Sequence, residues 1–438
     1  MHTNFNLVSD RWIPVYRQIG ENGLASLCEA FTDSTIIDLN ADPCERIAVM
    51  RLLLAIAHRS KDLAVEPIQY LETWKSTFDL GDESGGFLRL SNVTATESPK
   101  TPAAEYLQFQ RGTKATHLTH AEIAFGLLTF QTCYPGGLCA RNLSLGGKPI
   151  TNVSAECAPS MEGGPLYGFI IGKTLLDTIS RNQLPKSAIK APLGVPAWES
   201  LSTDTFLGRL LPISYLIAFS PGFERMSYGP VPHPYQLDIQ DPWLAYRETK
   251  KGPAVVRINA EKSLWRELPA ITALPEPGKR SGNMLLQQTR NLADAQIWVG
   301  GMAKFQSAIK TVTESRFDLS EPVLDALRTD GYLSAFIGAE KLADRLSAAV
   351  KTFVSESARF NPKRGDWPLI DEAVRQFWNR LDNTKAILFD LMAAGADPEP
   401  WDRHCFTTAL TVLSEVCNPN SAREFRALTL AQSKLQRS

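Results

Sequence analysis

The spacing of apolar residues near the start of the chain changes from the alternation of strands to the period of a helix. Alternation at Phe5–Val8 and at Trp12–Tyr16 predicts two strands with a short polar connection between them. A helix is predicted next, because apolar residues recur three or four positions apart on one face, at Ile47, Met50, Leu54 and Ala57. The chain therefore begins with mixed secondary structure.

Two helix starts carry the pattern of a capping box, in which an N-cap side chain and a glutamate three residues later bond each other's backbone. Asp42 and Thr119 each lie three residues before a glutamate. The second box predicts a helix over about 120–130. The polar stretch 91–118 before it lacks sustained periodicity, so we predict a long loop there.

Beyond about residue 318 the pattern becomes helical throughout. Four long segments are separated by short breaks of proline, glycine or asparagine, at Leu333–Arg359, Trp367–Ala393, Trp401–Val416 and Ala422–Gln436. Consecutive helices with short connections favour an antiparallel bundle. We therefore predict an α+β protein, with a large mixed domain over residues 1–317 and a C-terminal four-helix bundle over residues 318–438.

Charge is unevenly distributed along the chain. Of the 438 residues, 46 are Lys or Arg and 47 are Asp or Glu, so the formal net charge is -1. Residues 101–316 nevertheless contain 22 basic and 16 acidic side chains. The near-neutral total excludes a histone-like polycation, and we expect any polyanionic partner to dock on the basic middle segment.

Cysteine usage and hydropathy favour a cytoplasmic protein. The 7 cysteines are scattered and include no CxxC pair, which is typical of reduced thiols. No apolar run reaches the ~18 residues that a membrane span needs, and the first residues lack the pattern of a secretory signal. We therefore expect neither a membrane segment nor a disulfide framework.

Three side chains bear on catalysis or metal binding. His117 and His120 have a spacing that suits two imidazole ligands, but no third ligand lies nearby in the sequence, and solvated histidines at a helix start are the simpler interpretation. Cys405 follows a histidine, but adjacent helical residues point about 100° apart, so a small buried side chain is the simpler interpretation. The sequence contains no hydrolase, nucleotide-binding or nuclease motif, so we predict neither catalysis nor a metal or cofactor.

A glycine-rich arm spans Pro135–Lys148, with a glycine pair near each end. Gly136 and Gly137 would allow the backbone to approach a nucleic-acid groove closely. Arg141 and Lys148 would then contact phosphates. A plain surface loop explains the same pattern, so the arm alone does not decide between these interpretations.

A further glycine pair opens the segment Gly300–Ser307, in basic surroundings. A turn at the glycines would present Lys304, Phe305 and Gln306 as a wedge that parts base pairs. Glutamine can hydrogen-bond to exposed base edges, and phenylalanine can stack on a base. The alternative is a hairpin in which Phe305 is buried.

Taken in order, these segments resemble the CasA family, the large subunit of the type I-E CRISPR Cascade complex. The resemblance rests on Asn6–Val15, Phe109-Gln110-Arg111, the glycine-rich arm, Pro232-His233-Pro234 and Gly300–Gln306. No single motif is specific, and their order over nearly the whole chain carries the resemblance. It implies a non-catalytic subunit that reads the protospacer-adjacent motif (PAM) of double-stranded DNA and initiates R-loop formation, while a guide RNA reads the target by base pairing.

The resemblance also implies roles for individual residues. Phe109 and Arg111 would contact the 5′ handle of the guide RNA. The DNA contacts would come from the arm and the wedge, at Gly136, Gly137, Arg141, Lys148, Lys304 and Gln306. The lysine finger of the family has no clear match, and Arg225 is its substitute. Some relatives carry a cysteine-rich zinc loop, but Pro221–Gly229 is short and free of cysteine, so we expect no zinc.

The partners implied by the resemblance are the guide RNA, the target double-stranded DNA and the backbone and small subunits of Cascade. A helicase-nuclease, or a nuclease module on another subunit, would cleave the target. Two other functions stay open. One is a cytosolic hydrolase that uses His117, His120 or Cys405, and the other is a scaffold protein without DNA contact.

Overall fold

A computed structural model gives the fold of the chain. It describes all residues except 1–4, 19, 82–84, 111–116, 140–141, 162, 202–203, 232–240, 260, 275–280, 289–295, 306–307, 358–367 and 437–438. The chain divides into two compact units. The first unit comprises Met1–Trp265 with Leu274–Asp318, and the second comprises Arg266–Ala273 with Leu319–Ser438.

The strands among the described residues all belong to the first unit, and most of them are short. They are β1 Ile13–Arg17, β2 Asn22–Ala25, β3 Ile36–Leu39, β4 Val93–Ala95, β5 Thr101–Pro102, β6 Gly137–Leu138, β7 Leu143–Leu145, β8 Lys148–Pro149, β9 Ser154–Ala155, β10 Tyr167–Ile171, β11 Tyr215–Phe219, β12 Arg225–Pro230, β13 Ala245–Thr249, β14 Gly252–Val255, β15 Gly282–Asn283, β16 Gln296–Phe305 and β17 Ala308–Phe317.

The helices occur in both units. They are α1 Leu27–Thr32, α2 Pro43–Leu63, α3 Pro67–Thr73, α4 Ala103–Leu107, α5 His120–Cys133, α6 Leu175–Arg181, α7 Phe206–Leu210, α8 Leu268–Thr272, α9 Met284–Gln288, α10 Glu321–Leu327, α11 Asp330–Ser357, α12 Pro368–Thr384, α13 Ala386–Ala393, α14 Glu399–Val416 and α15 Ala422–Gln436. Among the described residues, no helix is both long enough and apolar enough to cross a membrane.

The strands pair into several small antiparallel sheets instead of one large sheet. Their orders are β2-β1-β3, β10-β16-β17, β11-β12-β5, β14-β13-β15, β4-β7-β8 and β6-β9. A sheet of two or three strands is only marginally stable by itself. The sheets of the first unit therefore depend on the helices and loops that pack against them.

Helix α2 is the central buried helix of the first unit. It begins with the predicted capping box, in which the Glu45 amide donates to the Asp42 side chain at 3.2 Å and the Asp42 amide donates to the Glu45 carboxylate at 3.1 Å. Nearly all of its length is buried, and it contacts α5, β16 and β17. The predicted box at Thr119 is also present and starts α5. Both helix predictions are confirmed.

Two buried arginines of α2 connect distant segments to this helix. Arg51 forms an ion pair with Asp241. Arg46 forms a two-point ion pair with Asp38 of β3, at 2.7 and 3.1 Å. Asp38 also accepts a hydrogen bond from Arg316 of β17. The buried guanidiniums are thus paired with carboxylates, as burial of a charge requires.

The second unit is helical, and α11 is its central helix. It contacts α12, α14 and α15, and α12 also packs against α14. The predicted helix Trp367–Ala393 is divided in its described part into α12 and α13, which meet at Lys385. Arg266–Ala273, which lies within the predicted mixed domain, clusters with these helices. The predicted α+β fold with a C-terminal helical region is confirmed.

Two local predictions are wrong. Residues 5–8 form a turn instead of a strand, and only Asn6 makes a bridge, to Asp79. The described part of stretch 91–118 contains β4, β5 and α4 instead of a continuous loop. β4 pairs with β7, and β5 pairs with β12. These pairings with distant segments leave no periodic signal in a strand of two or three residues.

Asp38 joins β3, α2 and β17, so we expect its removal to destabilise the first unit. Burial by itself would raise the pKa of Asp38, but Arg46 and Arg316 outweigh burial and hold that pKa below its ordinary value. Asp38→Asn should lower the free energy of unfolding at pH 7 by about 3 kcal/mol, because two guanidiniums lose their carboxylate. Urea unfolding of both proteins measures this difference.

The difference in unfolding free energy between the two proteins should change with pH in a definite direction. A carboxylate with a lowered pKa contributes its full stability above about pH 4, and the contribution is lost as the pH falls through the folded-state pKa. The difference between the two proteins should therefore shrink in acid. Glu72→Gln is the control, since Glu72 pairs with Lys75 at 3.3 Å on an exposed helix surface and should contribute less than about 1 kcal/mol. Equal losses in both variants would contradict the role of Asp38.

Candidate nucleic-acid interface

The first half of the glycine-rich arm is a narrow two-stranded ribbon. β6 pairs antiparallel with β9. Beyond β6, the amide of Cys139 donates to the carbonyl oxygen of Val153 at 2.9 Å. Leu138, the last residue of β6, is 84% exposed. Arg141, the predicted phosphate contact, lies outside the described residues.

Gly136 is required by the packing of the arm on itself. Its φ is +74°, and a Cβ atom there would lie 2.5 Å from the carbonyl oxygen of Ala155 and 2.6 Å from that of Glu156. Gly137 also has a positive φ, at +120°. The sequence interpretation attributed both glycines to the approach of a nucleic acid. At Gly136 the backbone of the chain itself imposes the requirement, and the approach of DNA stays a prediction.

The second glycine pair of the arm forms a hairpin turn. Gly146 and Gly147 connect β7 to β8 with φ values of +55° and +77°. Two positive φ values in a two-residue loop are typical of the type I′ turns that join antiparallel strands. Lys148 follows the turn, pairs with Leu145 and is exposed. Its ammonium group therefore lies at the surface beside the turn.

Arg225 is the first residue of β12, and the same strand also bonds to the arm. The guanidinium of Arg225 is exposed to solvent and donates to the carbonyl oxygen of Lys100. Two positions further along, the hydroxyl of Ser227 receives a hydrogen bond of 3.1 Å from the side-chain amide of Asn142. The same amide donates to the carbonyl oxygen of Glu97, also at 3.1 Å. An open cleft beside these bonds is lined by Glu97, Ser98, Pro99, Lys100, Ser220, Pro221, Glu224 and Arg225.

Two buried tyrosines hold the first half of the arm. The hydroxyl of Tyr228 on β12 donates to the carbonyl oxygen of Leu138 at 2.9 Å. The hydroxyl of Tyr215 on β11 lies 2.9 Å from the carbonyl oxygen of Tyr134 and 2.8 Å from that of Glu156. Both sides of the ribbon are thus bonded to one sheet. The sequence analysis missed these tyrosines, because their bonds span 59 to 90 positions of sequence and they belong to no motif.

Phe109 is half-buried within the chain. Its ring centroid lies 5.2 Å from that of Tyr134, in an edge-on arrangement. It also packs against a cluster of four buried sulfur-containing residues, which we call the thioether–thiol cluster: Cys44, Cys133, Met161 and Met302. Arg111, its predicted partner in binding the guide RNA, lies outside the described residues.

The predicted wedge is a hairpin whose turn is not at the glycine pair. Gly300 and Gly301 lie inside β16, where they are required for close packing. A Cβ on Gly300 would lie 2.5 Å from the Trp298 ring, and one on Gly301 would lie 2.6 Å from the carbonyl oxygen of Pro165. β16 and β17 pair as far as Phe305 opposite Ala308. The prediction of a turn at the glycines is therefore wrong.

Of the residues assigned to the wedge, the structure describes the backbone of Lys304 and Phe305 at the end of β16. Lys304 is in β16 opposite Ile309. Gln306 and Ser307, which follow the last residue of β16, lie outside the described residues. The wedge role of Gln306 and the alternative of a buried Phe305 both stay predictions.

The base of the wedge hairpin is firmly attached. Arg316 of β17 bonds to Asp38 of β3, and within the hairpin the indole N–H of Trp298 donates to Glu314 at 2.5 Å. Met302 is buried in the thioether–thiol cluster, and Ile309 packs against that cluster from β17. The hairpin is therefore anchored up to two residues before Lys304.

The structure describes all three side chains that the sequence offered for catalysis or metal binding. His120 is the first residue of α5, and its ring centroid lies 5.7 Å from that of Phe5. His117 is exposed. Within the described ranges, no group of three or more His, Cys, Asp or Glu could hold a metal ion. Cys405 is buried in α14, and burial together with Asp402 raises the pKa of its thiol to about 12. A thiol that stays protonated at neutral pH is a poor nucleophile.

The segment Pro232-His233-Pro234, which is part of the resemblance, lies outside the described residues. Described contacts join the strands that carry Arg225 and Lys148. Arg225 is on β12, which pairs with β11, and Lys148 is on β8, which pairs with β7. β7 and β11 share an apolar cluster of Val93, Leu143, Leu216 and Ala218. Phe109 and the wedge hairpin share the thioether–thiol cluster.

Comparison with known proteins identifies the family of this chain. The family model of CRISPR-associated protein Cse1 matches residues 6–412. The CRISPR-associated protein CasA/Cse1 of Thermus thermophilus is 24% identical over 91% of this chain and 89% of its own length. A crystal structure of Thermus thermophilus CasA superimposes with a TM-score of 0.78 at 22% identity, covering 99% of this chain and 98% of that one. A chain of a CRISPR RNA-guided surveillance complex superimposes with a TM-score of 0.75 at 18% identity, covering 98% and 99%.

The family match extends over most of the chain, and the fold agrees with it from end to end. The chain therefore belongs to the Cse1 (CasA) family, the large subunit of the type I-E CRISPR Cascade complex.

Proposed function

We propose that this chain recognises the PAM in double-stranded DNA and initiates R-loop formation, without cutting the DNA itself. The observation that carries the proposal is the shared packing of the three predicted contact segments. Cys133 at the base of the arm and Met302 of the wedge hairpin are buried together, and Phe109 packs against them. A fold relative comes from a CRISPR RNA-guided surveillance complex. In RNA-guided systems, base pairing reads the target and protein reads the short adjacent motif.

The arm is the proposed PAM reader. Gly136 and Gly137 keep its backbone free of side chains, and Arg141, Lys148 and Arg225 supply positive charge for phosphates. We expect contact through the minor groove, where mainly A·T and G·C pairs are distinguished, so several PAM sequences should be tolerated.

The wedge hairpin is the proposed site where strands first part. Gln306 would occupy the space vacated at the first base pair, and Lys304 would hold the nearby DNA backbone. Unstacking one step costs a few kcal/mol, which such contacts can offset. Once guide pairing begins, the exchange of one duplex for another is nearly balanced. The protein is therefore needed mainly at initiation.

The proposed partners are those of a Cascade subunit. Phe109 and Arg111 would bind the guide RNA, and the mixed domain of residues 1–317 would carry the contacts with guide and target. The helical bundle of residues 318–438 would pack among the backbone and small subunits. Cleavage is assigned to a helicase-nuclease or to a nuclease module on another subunit, in the cytoplasm and without a cofactor on this chain.

Arg141→Ala should weaken binding to DNA with and without a PAM, because it removes a phosphate contact. The slope of log affinity against log salt should fall by about 1. Titration of DNA into the reconstituted complex at several salt concentrations measures both effects. Arg375→Ala is the control, since Arg375 is an exposed arginine of α12 that pairs with Glu372. An unchanged slope for Arg141→Ala would contradict the phosphate contact.

Phe109→Leu should weaken binding of this subunit to the guide-loaded complex by about tenfold, because a stacked base is worth roughly 1–3 kcal/mol. Leucine keeps an apolar side chain against the thioether–thiol cluster but cannot stack. Affinity is measured by adding the subunit to a complex that lacks it, with thermal melting of the free subunit alongside. A fall in melting temperature without a fall in affinity would show that Phe109 is only a packing residue.

Gln306→Ala should slow R-loop formation on intact duplex DNA but have little effect on a target already mismatched beside the PAM. The mismatched target needs no wedge, because its first base pairs are open. R-loop rates on the two targets measure the difference. Gln296→Ala is the matched control, since Gln296 lies at the other end of β16 and bonds to Asp318 at 2.8 Å. Equal slowing of both targets by Gln306→Ala would reject the wedge.

A further inference from the structure

We propose that Tyr228 is a positioning residue for PAM recognition, which fixes the exposed end of the arm through a single hydrogen bond. Its hydroxyl donates to the carbonyl oxygen of Leu138 at 2.9 Å, across 90 residues of sequence. The inference rests on the proposed role of the arm in reading the PAM. It adds a residue that is buried and would itself touch no DNA.

Apolar packing does little to hold the end of the arm at Leu138. The Leu138 residue is 84% exposed, so it contributes almost no buried surface to fix the ribbon. β6 and β9 pair over only two residues each, and a short isolated hairpin is marginally stable in water. The described bonds at this end are the β6–β9 pairing, the bond from the Cys139 amide to Val153, a long contact of 3.9 Å from the Cys139 thiol to the carbonyl oxygen of Asn152, and the bond from Tyr228.

Tyr228 is well suited to act as a fixed donor. It is 1% exposed, and its ring packs against those of Tyr106, Phe130, Tyr134 and Tyr215 at centroid distances of 5.0 to 5.7 Å. A ring held on several sides loses little further freedom when its hydroxyl bonds. Burial, followed by the neighbouring Tyr134, raises the pKa of Tyr228, so the hydroxyl remains a donor at physiological pH.

The bond connects the arm to the strand that also carries Arg225. Tyr228 and Arg225 both lie on β12, and Asn142 bonds to Ser227 between them. β12 therefore sets the position of the ribbon relative to a second predicted DNA contact. Loss of the hydroxyl should leave the strand and its ring packing in place while freeing the arm.

Tyr228→Phe removes the hydroxyl and keeps the ring. In the free chain, we expect faster amide hydrogen exchange over residues 134–139. In the reconstituted complex, affinity for PAM-bearing DNA should fall about fivefold, as the loss of one ordinary hydrogen bond predicts, with a smaller change for DNA that lacks a PAM. Tyr106→Phe is the matched control: it makes the same chemical change in the same ring cluster, but the Tyr106 hydroxyl lies 3.4 Å from Thr101 and not on the arm.

Two results would overturn the inference. One is exchange over residues 134–139 that is the same in Tyr228→Phe and Tyr106→Phe. The other is faster exchange with unchanged discrimination of the PAM, in an assay where Arg141→Ala weakens binding. If Arg141→Ala also has no effect, the proposed contact between arm and DNA fails, and the role of Tyr228 in PAM recognition fails with it. The exchange measurement then still decides whether the hydroxyl holds the arm.

Discussion

The thioether–thiol cluster is the contact on which the proposed interface depends. Cys44 comes from α2, Cys133 from the end of α5, and Met302 from the wedge hairpin, and all of them are buried together. Methionine and cysteine adapt their shape to irregular gaps, so they can fill a space between unlike elements. Because protein interiors are close-packed, the arm, the hairpin and Phe109 are held in fixed relation to one another. A complex that reads a motif and opens the adjacent base pair needs that relation.

Hydrogen bonds and an ion pair fix the parts of the arm and the hairpin that lie outside the thioether–thiol cluster. The arm is held by the hydroxyl of Tyr228 and by the bond from Asn142 to Ser227. The hairpin is held by Asp38 and Arg316. Each of these bonds joins residues far apart in sequence, so each depends on the whole first unit being folded. The positions predicted to touch nucleic acid, Arg141 and Gln306, come three and four residues along the chain after the anchored residues Leu138 and Met302.

Patterns of neighbouring residues predicted local structure, but they did not indicate contacts between residues far apart in the sequence. The capping boxes at Asp42 and Thr119 are present because a box needs only residues three positions apart. The glycine pairs were harder to interpret, since glycine marks a turn at Gly146 but close packing at Gly300. Tyr228 carries no local signal, because its partner lies 90 positions away. The order of motifs along the chain correctly predicted the family, while the structure supplied the bonds that hold the proposed site.

Selection from a PAM library most directly tests the central claim that this chain reads the motif. Reconstituted complex would be incubated with randomised DNA flanking a matched target, with and without this subunit, and the bound DNA sequenced. We expect a set of enriched motifs when the subunit is present and no enrichment when it is absent. The same enrichment in both samples would contradict the claim, because PAM recognition would then lie elsewhere in the complex.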